Sequence, residues 1–288
     1  MKFALGTAQL GLDYGINNKQ GRPLKNQSIA ILEKAWSTGI RFFDTSPAYG
    51  KAEEILGEFI SAHNLQGEIA VVSKFFSSDS EAVENKIQDT LKKLNSDSLD
   101  GYLLHKAEDM YNPETMEALK SCQQKGLVKN IGVSVYKASD ARHAASSGIM
   151  NYIQIPYSVF DQRLDKTDFF TQARENNVKV FARSVFLQGL MLMKDQEIPV
   201  HLSGVKKHLL EFDEIINKYN LTREQAALLF VYASKNIDYA VFGADTAEQI
   251  DNNVRIVEET KDYEECLKEL ENRFNNINEY IISPNMWK

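Results

Sequence analysis

The sequence predicts a (β/α)₈ barrel, an α/β fold in which eight parallel strands form a closed ring inside a layer of helices. Short apolar strand patterns alternate with amphipathic helical patterns almost to the end of the chain, which is typical of a parallel sheet with helical crossovers. Eight such units in 288 residues match the size of this barrel. No low-complexity linker or shift of composition interrupts the pattern, so we expect residues 1–288 to form a single barrel domain.

Each predicted strand is a short apolar run, and a helical pattern with recognisable ends follows it. The strands are expected near residues 3–8, 40–44, 69–74, 99–105, 129–134, 151–155, 178–183 and 238–242. The helices are expected near residues 27–38, 51–62, 81–94, 113–125, 137–147, 166–176, 205–219, 222–235 and 246–258. Pro113 suits the first position of a helix, and Gly39, Gly126 and Gly148 stand where helices should end.

Two segments do not follow the alternation. Residues 184–204 form the longest irregular stretch, and such a loop in a compact domain is more often functional than accidental. We therefore expect it to form a wall of the substrate pocket. Residues 259–288 are rich in asparagine and aromatic residues, and we expect them to form a C-terminal helix and a surface strap.

Composition excludes several classes of function. The net charge is −7 and no basic tract compensates it, which argues against a nucleic-acid or anionic-membrane partner. No apolar run approaches the roughly 20 residues that a membrane span needs, and the first residues read as a strand rather than a signal peptide. With only Cys122 and Cys266, we expect reduced thiols in a cytoplasmic protein and no metal site.

Polar residues follow three neighbouring strand patterns at their carboxyl ends. Asp44 ends the second pattern and Tyr49 follows it in a turn, Lys74 ends the third, and His105 ends the fourth. In a barrel of parallel strands these ends meet on one face, where such residues are typical of a catalytic site. We therefore expect the four side chains to form one cluster at the C-terminal face of the barrel.

The chemistry of the cluster suggests proton transfer. Tyr49 is the natural proton donor, but the ordinary pKa of a phenol, about 10, is too high for easy transfer near neutrality. An ammonium group about 4 Å away favours the phenolate by about 4 kcal/mol at an effective dielectric constant near 20, which corresponds to roughly three pKa units. Lys74 can supply this charge if Asp44 holds it as an ion-pair partner, so the pKa of Tyr49 is expected to be lowered.

The same cluster favours reduction of a carbonyl group. His105 can donate a hydrogen bond to a carbonyl oxygen, whereas none of the four residues supplies a nucleophile for the carbon. A hydride from a reduced nicotinamide would do so. Taken singly, each residue has a structural explanation. Asp44 could cap a helix, Lys74 could be a solvated strand end, His105 could be a core histidine and Tyr49 could be a loop aromatic. All four at matching strand ends indicate a catalytic site.

Several motifs in order resemble the aldo-keto reductase superfamily, in particular its bacterial members, across nearly the whole chain. They are Phe43-Asp44-Thr45 with Tyr49-Gly50, Glu53-Glu54-Ile55-Leu56-Gly57, Ser73-Lys74, Asp100-Gly101-Tyr102-Leu103-Leu104-His105, and the segment from Gly126 to Ser134. The resemblance implies that Tyr49 is the general acid, that Lys74 and Asp44 tune it, and that His105 orients the carbonyl.

The resemblance also implies that NADPH or NADH lies across the barrel mouth, although no G-x-G-x-x-G motif follows a strand. By this resemblance Ser134 and Gln154 would bind the carboxamide, and the turn from Gly243 would bind the adenosine at a helix N-terminus. The full set of expected cofactor contacts is Gly6, Thr7, Ala8, Asp44, Ser134, Gln154, Arg183, Ser184, Phe186, Gln188, Gly243, Thr246, Gln249, Asn252 and Asn253.

The chain departs from the family pattern at three places. Val135 replaces an asparagine next to the carboxamide site. Arg183 replaces an aromatic residue that stacks on the nicotinamide, and its guanidinium could stack there instead or receive a substrate carboxylate or phosphate. Gly243 and Gln249 replace basic residues that bind the 2′-phosphate in many relatives, and Asp245 adds a negative charge. This last change favours relaxed cofactor choice or NADH.

The function predicted from all of this is NAD(P)H-dependent reduction of an aldehyde or ketone to an alcohol. The expected partner is a small carbonyl compound, anionic or sugar-like in character, and the oligomeric state stays open. A first alternative is a sugar or nucleotide-sugar carbonyl, because residues 183–190 are similar to bacterial relatives of glycan pathways. A second is a slow redox-sensing subunit like the potassium-channel β subunits, against which the complete set of four residues argues.

Overall fold

A computed structural model describes residues 2–77 and 81–287 and has a closed barrel of eight parallel strands in sequence order. Strand β8 pairs with β1 and closes the ring. The predicted (β/α)₈ barrel is therefore confirmed. The strands are β1 Phe3–Gly6, β2 Phe42–Asp44, β3 Ala70–Phe75, β4 Leu99–Leu104, β5 Val128–Ser134, β6 Tyr152–Pro156, β7 Lys179–Arg183 and β8 Tyr239–Phe242.

Helices follow the strands at the predicted places, with differences of up to three residues at their ends, and a short helix directly after the first strand was not expected. They are α1 Ala8–Gly11, α2 Lys25–Ser37, α3 Ala52–Ala62, α4 Glu81–Leu94, α5 Pro113–Gln124, α6 Ala138–Ser146, α7 Phe169–Glu175, α8 Lys206–Lys218, α9 Arg223–Tyr232, α10 Ala247–Glu259, α11 Glu264–Arg273 and α12 Glu279–Ile282. Helix α7 begins three residues later than predicted, because the Thr167 amide and hydroxyl both bond to the Leu164 carbonyl in a turn.

Two strands are two residues shorter than predicted, for local reasons. Strand β1 ends at Gly6 because the next residue, Thr7, bonds to the Asp44 carbonyl and the chain then enters α1. Strand β2 begins at Phe42 rather than at residue 40 because the Ile40 amide still bonds to the Ala35 carbonyl at the end of α2.

The irregular stretch predicted at 184–204 contains three short 3₁₀ segments, Leu187–Leu192, Asp195–Glu197 and Val200–Val205. Ser184, Leu187 and Gln188 have φ values of 65°, 47° and 54°, a left-handed conformation that costs non-glycine residues about 1 kcal/mol or more each. The Ile16 amide donates to the Gln188 carbonyl at 3.1 Å, so the β1–α2 connection helps to hold this strained loop.

The C-terminal segment 259–288 contains α11, α12 and a final 3₁₀ turn, two helices where one was expected. It packs on the loop that follows β6: Phe160 contacts Phe274 at 4.9 Å between ring centroids, and Arg163 donates to Ser283 Oγ at 3.2 Å. The segment therefore lies at the carboxyl end of the barrel strands.

The interior of the barrel explains how the polar residues are collected. One buried cluster inside the ring consists of Ala4, Val72, Leu103, Tyr152, Phe181 and Val241, with Phe42 packed against it. A Cβ added at Gly132 would lie 3.0 Å from Leu103 Cγ, so β5 faces the same interior there. Two residues further along each strand, the chain returns to the same inner face. No helix among residues 2–77 and 81–287 has the length and apolar character to cross a membrane.

Candidate active site

Because alternate side chains of a strand point to the same face, the residue two positions after each interior residue also faces inward, at the carboxyl-end mouth of the barrel. These eight residues are Gly6, Asp44, Lys74, His105, Ser134, Gln154, Arg183 and Gly243. All eight are candidates that the sequence singled out. The barrel therefore collects the predicted catalytic and cofactor positions into one ring.

Lys74 and Asp44 form a buried ion pair at the centre of this ring. Lys74 Nζ lies 2.7 Å from each carboxylate oxygen of Asp44 and 3.2 Å from the Thr45 carbonyl. Burial by itself lowers the pKa of the ammonium, but the Asp44 carboxylate raises it, and the net direction is upward. Lys74 is therefore a fixed positive charge at neutral pH.

Tyr49 lies next to this charge. Lys74 Nζ is 3.4 Å from the phenol oxygen. Burial of the phenol raises its pKa more than the Lys74 charge lowers it, so the net direction is upward. The lowered pKa that the sequence predicted is therefore wrong, because the loss of hydration outweighs the ammonium. Tyr49 holds its proton at neutral pH, and Lys74 reduces the cost of losing it.

A close approach of two backbone segments positions Tyr49. The Tyr49 amide donates to the Ser46 carbonyl at 2.9 Å in the turn after β2. A Cβ at Gly11 would lie 1.7 Å from the Tyr49 carbonyl oxygen, so only glycine fits at the end of α1. The first and second strand–helix connections therefore set the position of the phenol together.

His105 directly follows β4 and lies beside Tyr49. Its ring stacks on Phe76 at 4.4 Å between centroids and lies 6.3 Å from the ring of Tyr49. Burial lowers the pKa of His105 to about 4, helped by the charges of Lys74, Arg183 and Lys106. The imidazole is therefore neutral at pH 7.

Ser46 is the hydrogen-bond partner of one ring nitrogen of His105. Its Oγ lies 3.3 Å from His105 Nδ1 and accepts a hydrogen bond from the Ala48 amide at 3.2 Å. The oxygen keeps a second lone pair, so the hydroxyl can either donate to Nδ1 or accept from it, and a hydroxyl that donates to Nδ1 leaves the ring proton on Nε2. Nε2–H is then the available donor. Ser46 was not among the site residues expected from the sequence.

A cavity of about 250 Å³ opens beside Tyr49 and Asp44. The predicted cofactor residues on its wall are Gly6, Ala8, Asp44, Gln154, Arg183, Ser184, Phe186, Gln188, Gly243, Gln249 and Asn253. The prediction that the 184–204 loop forms a wall agrees with this lining for its first half. Sequence reasoning missed Gln9, Tyr14, Asn17 and Glu224, which also line the cavity but belong to segments without a recognisable motif.

Four predicted cofactor residues do not line this cavity, and three of them have structural partners. Thr7 Oγ1 donates to the Asp44 carbonyl at 3.0 Å, Thr246 Oγ1 accepts from the Gln249 amide at 3.3 Å as the cap of α10, and Asn252 accepts from Arg255. Ser134 is buried at the end of β5. Val135, at the departure from the family pattern, is buried in the main core.

Gln154 connects the ion pair to the cavity. Its Nε2 donates to Asp44 Oδ2 at 2.8 Å, which leaves its carbonyl oxygen as an acceptor at the cavity wall. An amide N–H, such as that of a nicotinamide carboxamide, is a suitable donor for this oxygen. The donor and acceptor groups of this part of the ring therefore fit a nicotinamide.

The far end of the cavity combines an acidic residue with nearby cations. Asp245 Oδ1 is buried without a hydrogen-bond partner among the described residues, and burial raises the pKa of this carboxyl. Such an oxygen suits a ribose hydroxyl. However, Arg22 lines one adjoining cavity beside Asp245, and Lys19 and Lys194 line another. Both a hydroxyl and a phosphate thus find partners at this end.

Comparison with known proteins agrees with this geometry. The sequence model of the Aldo/keto reductase family matches residues 2–271. The uncharacterised oxidoreductase YqkF of Bacillus subtilis is 24% identical over 296 residues, which cover 94% of this chain and 95% of that protein. The L-galactose dehydrogenase of Arabidopsis thaliana is 25% identical over 282 residues, covering 87% and 85%.

A solved structure supports the fold. The aldo-keto reductase AKR11C1 from Bacillus halodurans, in its holo form, superposes with a TM-score of 0.73 over 96% of this chain and 95% of that chain, at 19% identity. With a family match over nearly the whole sequence, a closed barrel and the ring of polar residues at its mouth, the chain belongs to the aldo/keto reductase family and is an NAD(P)H-dependent oxidoreductase.

Proposed function

We propose that the protein reduces an aldehyde or ketone to an alcohol and that Tyr49 delivers the proton. The observation that carries this proposal is the contact of 3.4 Å between Lys74 Nζ and the Tyr49 hydroxyl, with Lys74 itself held by Asp44. A buried phenol beside a fixed ammonium can release its proton at the moment a carbonyl oxygen gains negative charge. The whole barrel with its C-terminal segment would act as one catalytic domain.

The raised pKa of Tyr49, caused mainly by burial, suits this role. A general acid must hold its proton until the reaction, and Tyr49 does so at neutral pH. The ammonium of Lys74 interacts more strongly with the phenolate than with the phenol, so its stabilisation is greatest when the proton has moved. The ion pair with Asp44 keeps the ammonium charged and in place.

His105 would bind the carbonyl oxygen through Nε2–H. Because burial lowers its pKa to about 4, the imidazole adds no second positive charge beside Lys74 and acts as a neutral hydrogen-bond donor. Such a donor orients the carbonyl and stabilises the charge that develops on its oxygen. Tyr49 and His105 would therefore act on the same oxygen atom.

When bound, a reduced nicotinamide supplies the hydride that the carbonyl carbon needs. We propose that Gln154 and Ser134 hold its carboxamide and that the cavity wall from Gly243 to Asn253 holds the adenosine. For cofactor choice we propose relaxed selectivity between NADH and NADPH. Asp245 favours a free ribose hydroxyl, while Arg22, Lys19 and Lys194 in the adjoining cavities favour a phosphate.

The test is turnover of a panel of small aldehydes by the wild-type protein and by Tyr49→Phe, with the cofactor dissociation constant measured in parallel. Tyr49→Phe should lower kcat by about a hundredfold or more, the low end for loss of a general acid. Its cofactor dissociation constant should change by less than about threefold, because the substitution removes a group that acts in the transition state. Equal turnover by both proteins would contradict the proposal.

A sugar carbonyl is a second candidate substrate. The observation in its favour is the match to a relative named L-galactose dehydrogenase over most of both chains. Aldoses and their phosphates therefore belong in the same substrate panel. A catalytic efficiency for an aldose above that for every simple aldehyde would favour this candidate.

A further inference from the structure

Arg183 lies in the wall of the active-site cavity without an acidic partner. Its guanidinium carbon lies 4.0 Å from the ring centroid of Tyr136. NH2 donates to the Val135 carbonyl at 3.1 Å, and NH1 lies 3.4 Å from Ser184 Oγ. Within the described residues no carboxylate comes within ion-pair distance of it. Two of its five N–H donors are used, and three are available.

The other arginine in this part of the barrel shows the contrast. Arg163 contacts both oxygens of Asp161, at 2.7 Å and 3.0 Å, and lies 3.4 Å from Glu279. Its charge is therefore compensated within the protein. Both side chains approach the segment that follows β5, since Arg163 also contacts the Tyr136 carbonyl. Arg183 also acts on Asp161 from a distance, but it has no ion-pair partner of its own among the described residues and it lies on the cavity wall.

The Arg183 side chain points away from the adenosine end of the cavity. Arg183 ends β7, and its guanidinium contacts Val135 and Tyr136, which follow β5. It thus extends across β6 towards the side of the barrel where β4 ends in His105. The turn from Gly243 to Asn253 follows β8 and lies in the other direction around the ring.

The surroundings of His105 carry an excess of positive charge. Lys74 and Arg183 lower the pKa of His105 more than the exposed Lys106 does, and no carboxylate of the described residues opposes them there. Asp44 is already the partner of Lys74. A local positive field in a chain whose net charge is −7 attracts an anion to this part of the mouth.

We propose that Arg183, supported on the ring of Tyr136, is an anion subsite that binds a carboxylate or phosphate group of the carbonyl substrate. This inference rests on the proposed carbonyl reduction at Tyr49 and His105. A guanidinium with several unused donors binds such groups through two parallel hydrogen bonds. The preferred substrates are therefore carbonyl compounds that carry an anionic group.

The test compares matched substrates that differ only in charge. The carboxylate arm uses para-carboxybenzaldehyde and its methyl ester, and the phosphate arm uses glyceraldehyde phosphate and glyceraldehyde. For each pair, kcat/KM is measured for the wild type, for Arg183→Met and for Arg183→Lys. Lys106→Met is the matched control, because it removes a neighbouring exposed cation from the same side of the barrel.

In the wild type, at least one anionic substrate should have a higher kcat/KM than its neutral partner. Arg183→Met should lower that ratio by about tenfold or more, the effect of losing a charge-assisted hydrogen-bonded pair. Arg183→Lys should retain part of the preference, and Lys106→Met should change the ratio by less than about threefold because exposed charges interact weakly. The arm with the larger loss identifies carboxylate or phosphate as the preferred group. An unchanged ratio in Arg183→Met overturns the proposal.

A binding measurement separates this proposal from the proposed reaction and from a cofactor role. Benzoate and inorganic phosphate are titrated into the wild type and Arg183→Met, each saturated with cofactor, and cofactor fluorescence is followed. Weaker anion binding in Arg183→Met supports the subsite even if no aldehyde in the panel is reduced. Equal anion binding by the two proteins, or a cofactor dissociation constant raised tenfold or more by Arg183→Met, overturns it, because the charge would then serve the cofactor.

Discussion

His105 Nδ1 lies 3.3 Å from Ser46 Oγ, so a residue in the turn after the second strand controls the imidazole at the end of the fourth. The Ala48 amide occupies an acceptor position of the same hydroxyl. When this hydroxyl donates to Nδ1, the ring proton lies on Nε2, the nitrogen available to a substrate. Ser46 also accepts a hydrogen bond from the Tyr49 amide through its backbone carbonyl, but its hydroxyl contacts only His105 and the Ala48 amide, so the hydroxyl acts on the imidazole as a positioning group.

We expect Ser46→Ala to weaken this assignment. Loss of one such hydrogen bond should lower kcat by about two- to tenfold, and the fraction of His105 with its proton on Nδ1 should rise because nothing then opposes that tautomer. Nitrogen NMR of the labelled imidazole measures the tautomer directly, and Ser46→Thr, which keeps the hydroxyl, is the control. An unaltered tautomer in Ser46→Ala would show that the contact has only a structural role.

The ion pair between Lys74 and Asp44 should couple stability to activity. Lys74→Met leaves a buried carboxylate without its cation, so the free energy of unfolding should fall by about 3–5 kcal/mol. Turnover should fall by about a hundredfold or more, since the phenolate loses its stabilising charge. Urea denaturation and steady-state kinetics measure the two effects.

A double substitution distinguishes the loss of stability from the loss of turnover that Lys74→Met is expected to cause. Asp44→Asn combined with Lys74→Met removes both charges, so its unfolding free energy should lie above the value expected from adding the two single losses. Its turnover should stay as low as that of Lys74→Met. Strict additivity of the stability changes would mean that the two side chains are not coupled.

His105 should make stability depend on pH in a defined window. Its pKa is lowered by burial from 6.5 to about 4 in the folded protein. Between these values the unfolded chain binds more protons than the folded one, so this residue destabilises the fold as pH falls from 6.5 to 4. The contribution is roughly 1–3 kcal/mol, discounted for the partial exposure of the ring.

The measurement compares the wild type with His105→Gln in urea denaturation across this pH range. The wild type should lose more stability on acidification than the variant, and NMR should find the imidazole neutral at pH 6. A His105 resonance that titrates with an ordinary pKa near 6.5 would contradict the burial argument. A parallel pH dependence of the two proteins would do so as well.

The preference between NADH and NADPH should shift in opposite directions when an acidic and a basic residue near the adenosine end are replaced. Asp245→Ala removes a carboxylate that repels a 2′-phosphate and should shift the ratio of dissociation constants towards NADPH by about tenfold. Lys194→Met removes a cation from the adjoining cavity and should shift the ratio towards NADH. Fluorescence titration with both cofactors measures each ratio. Shifts in the same direction for both variants would contradict this assignment.

Much of the fold and of the candidate site could be predicted because both depend on local patterns. The strands are short apolar runs that alternate with helical patterns, and helix signals such as Pro113 lie in the sequence itself. The parts of the site that could not be predicted depend on contacts between segments that are distant in the sequence. Tyr14 and Gln9 reach the cavity from the β1–α2 region, and a Cβ at Gly243 would lie 1.8 Å from Gln9 Nε2, a contact that no local pattern indicates.

By itself, the sequence determined which residue of each strand would stand at the mouth of the barrel, because side chains of a strand alternate between two faces and this period is a property of neighbouring residues. Only the tertiary structure decided how these residues act on one another. Gln154 bonds to Asp44 across 110 positions, Arg183 turns towards Tyr136, and burial raises the pKa of Tyr49 where a nearby ammonium alone predicts a decrease. The distances between these side chains and their loss of hydration arise only when the strands close into a ring. They therefore cannot be predicted from neighbouring residues in the sequence.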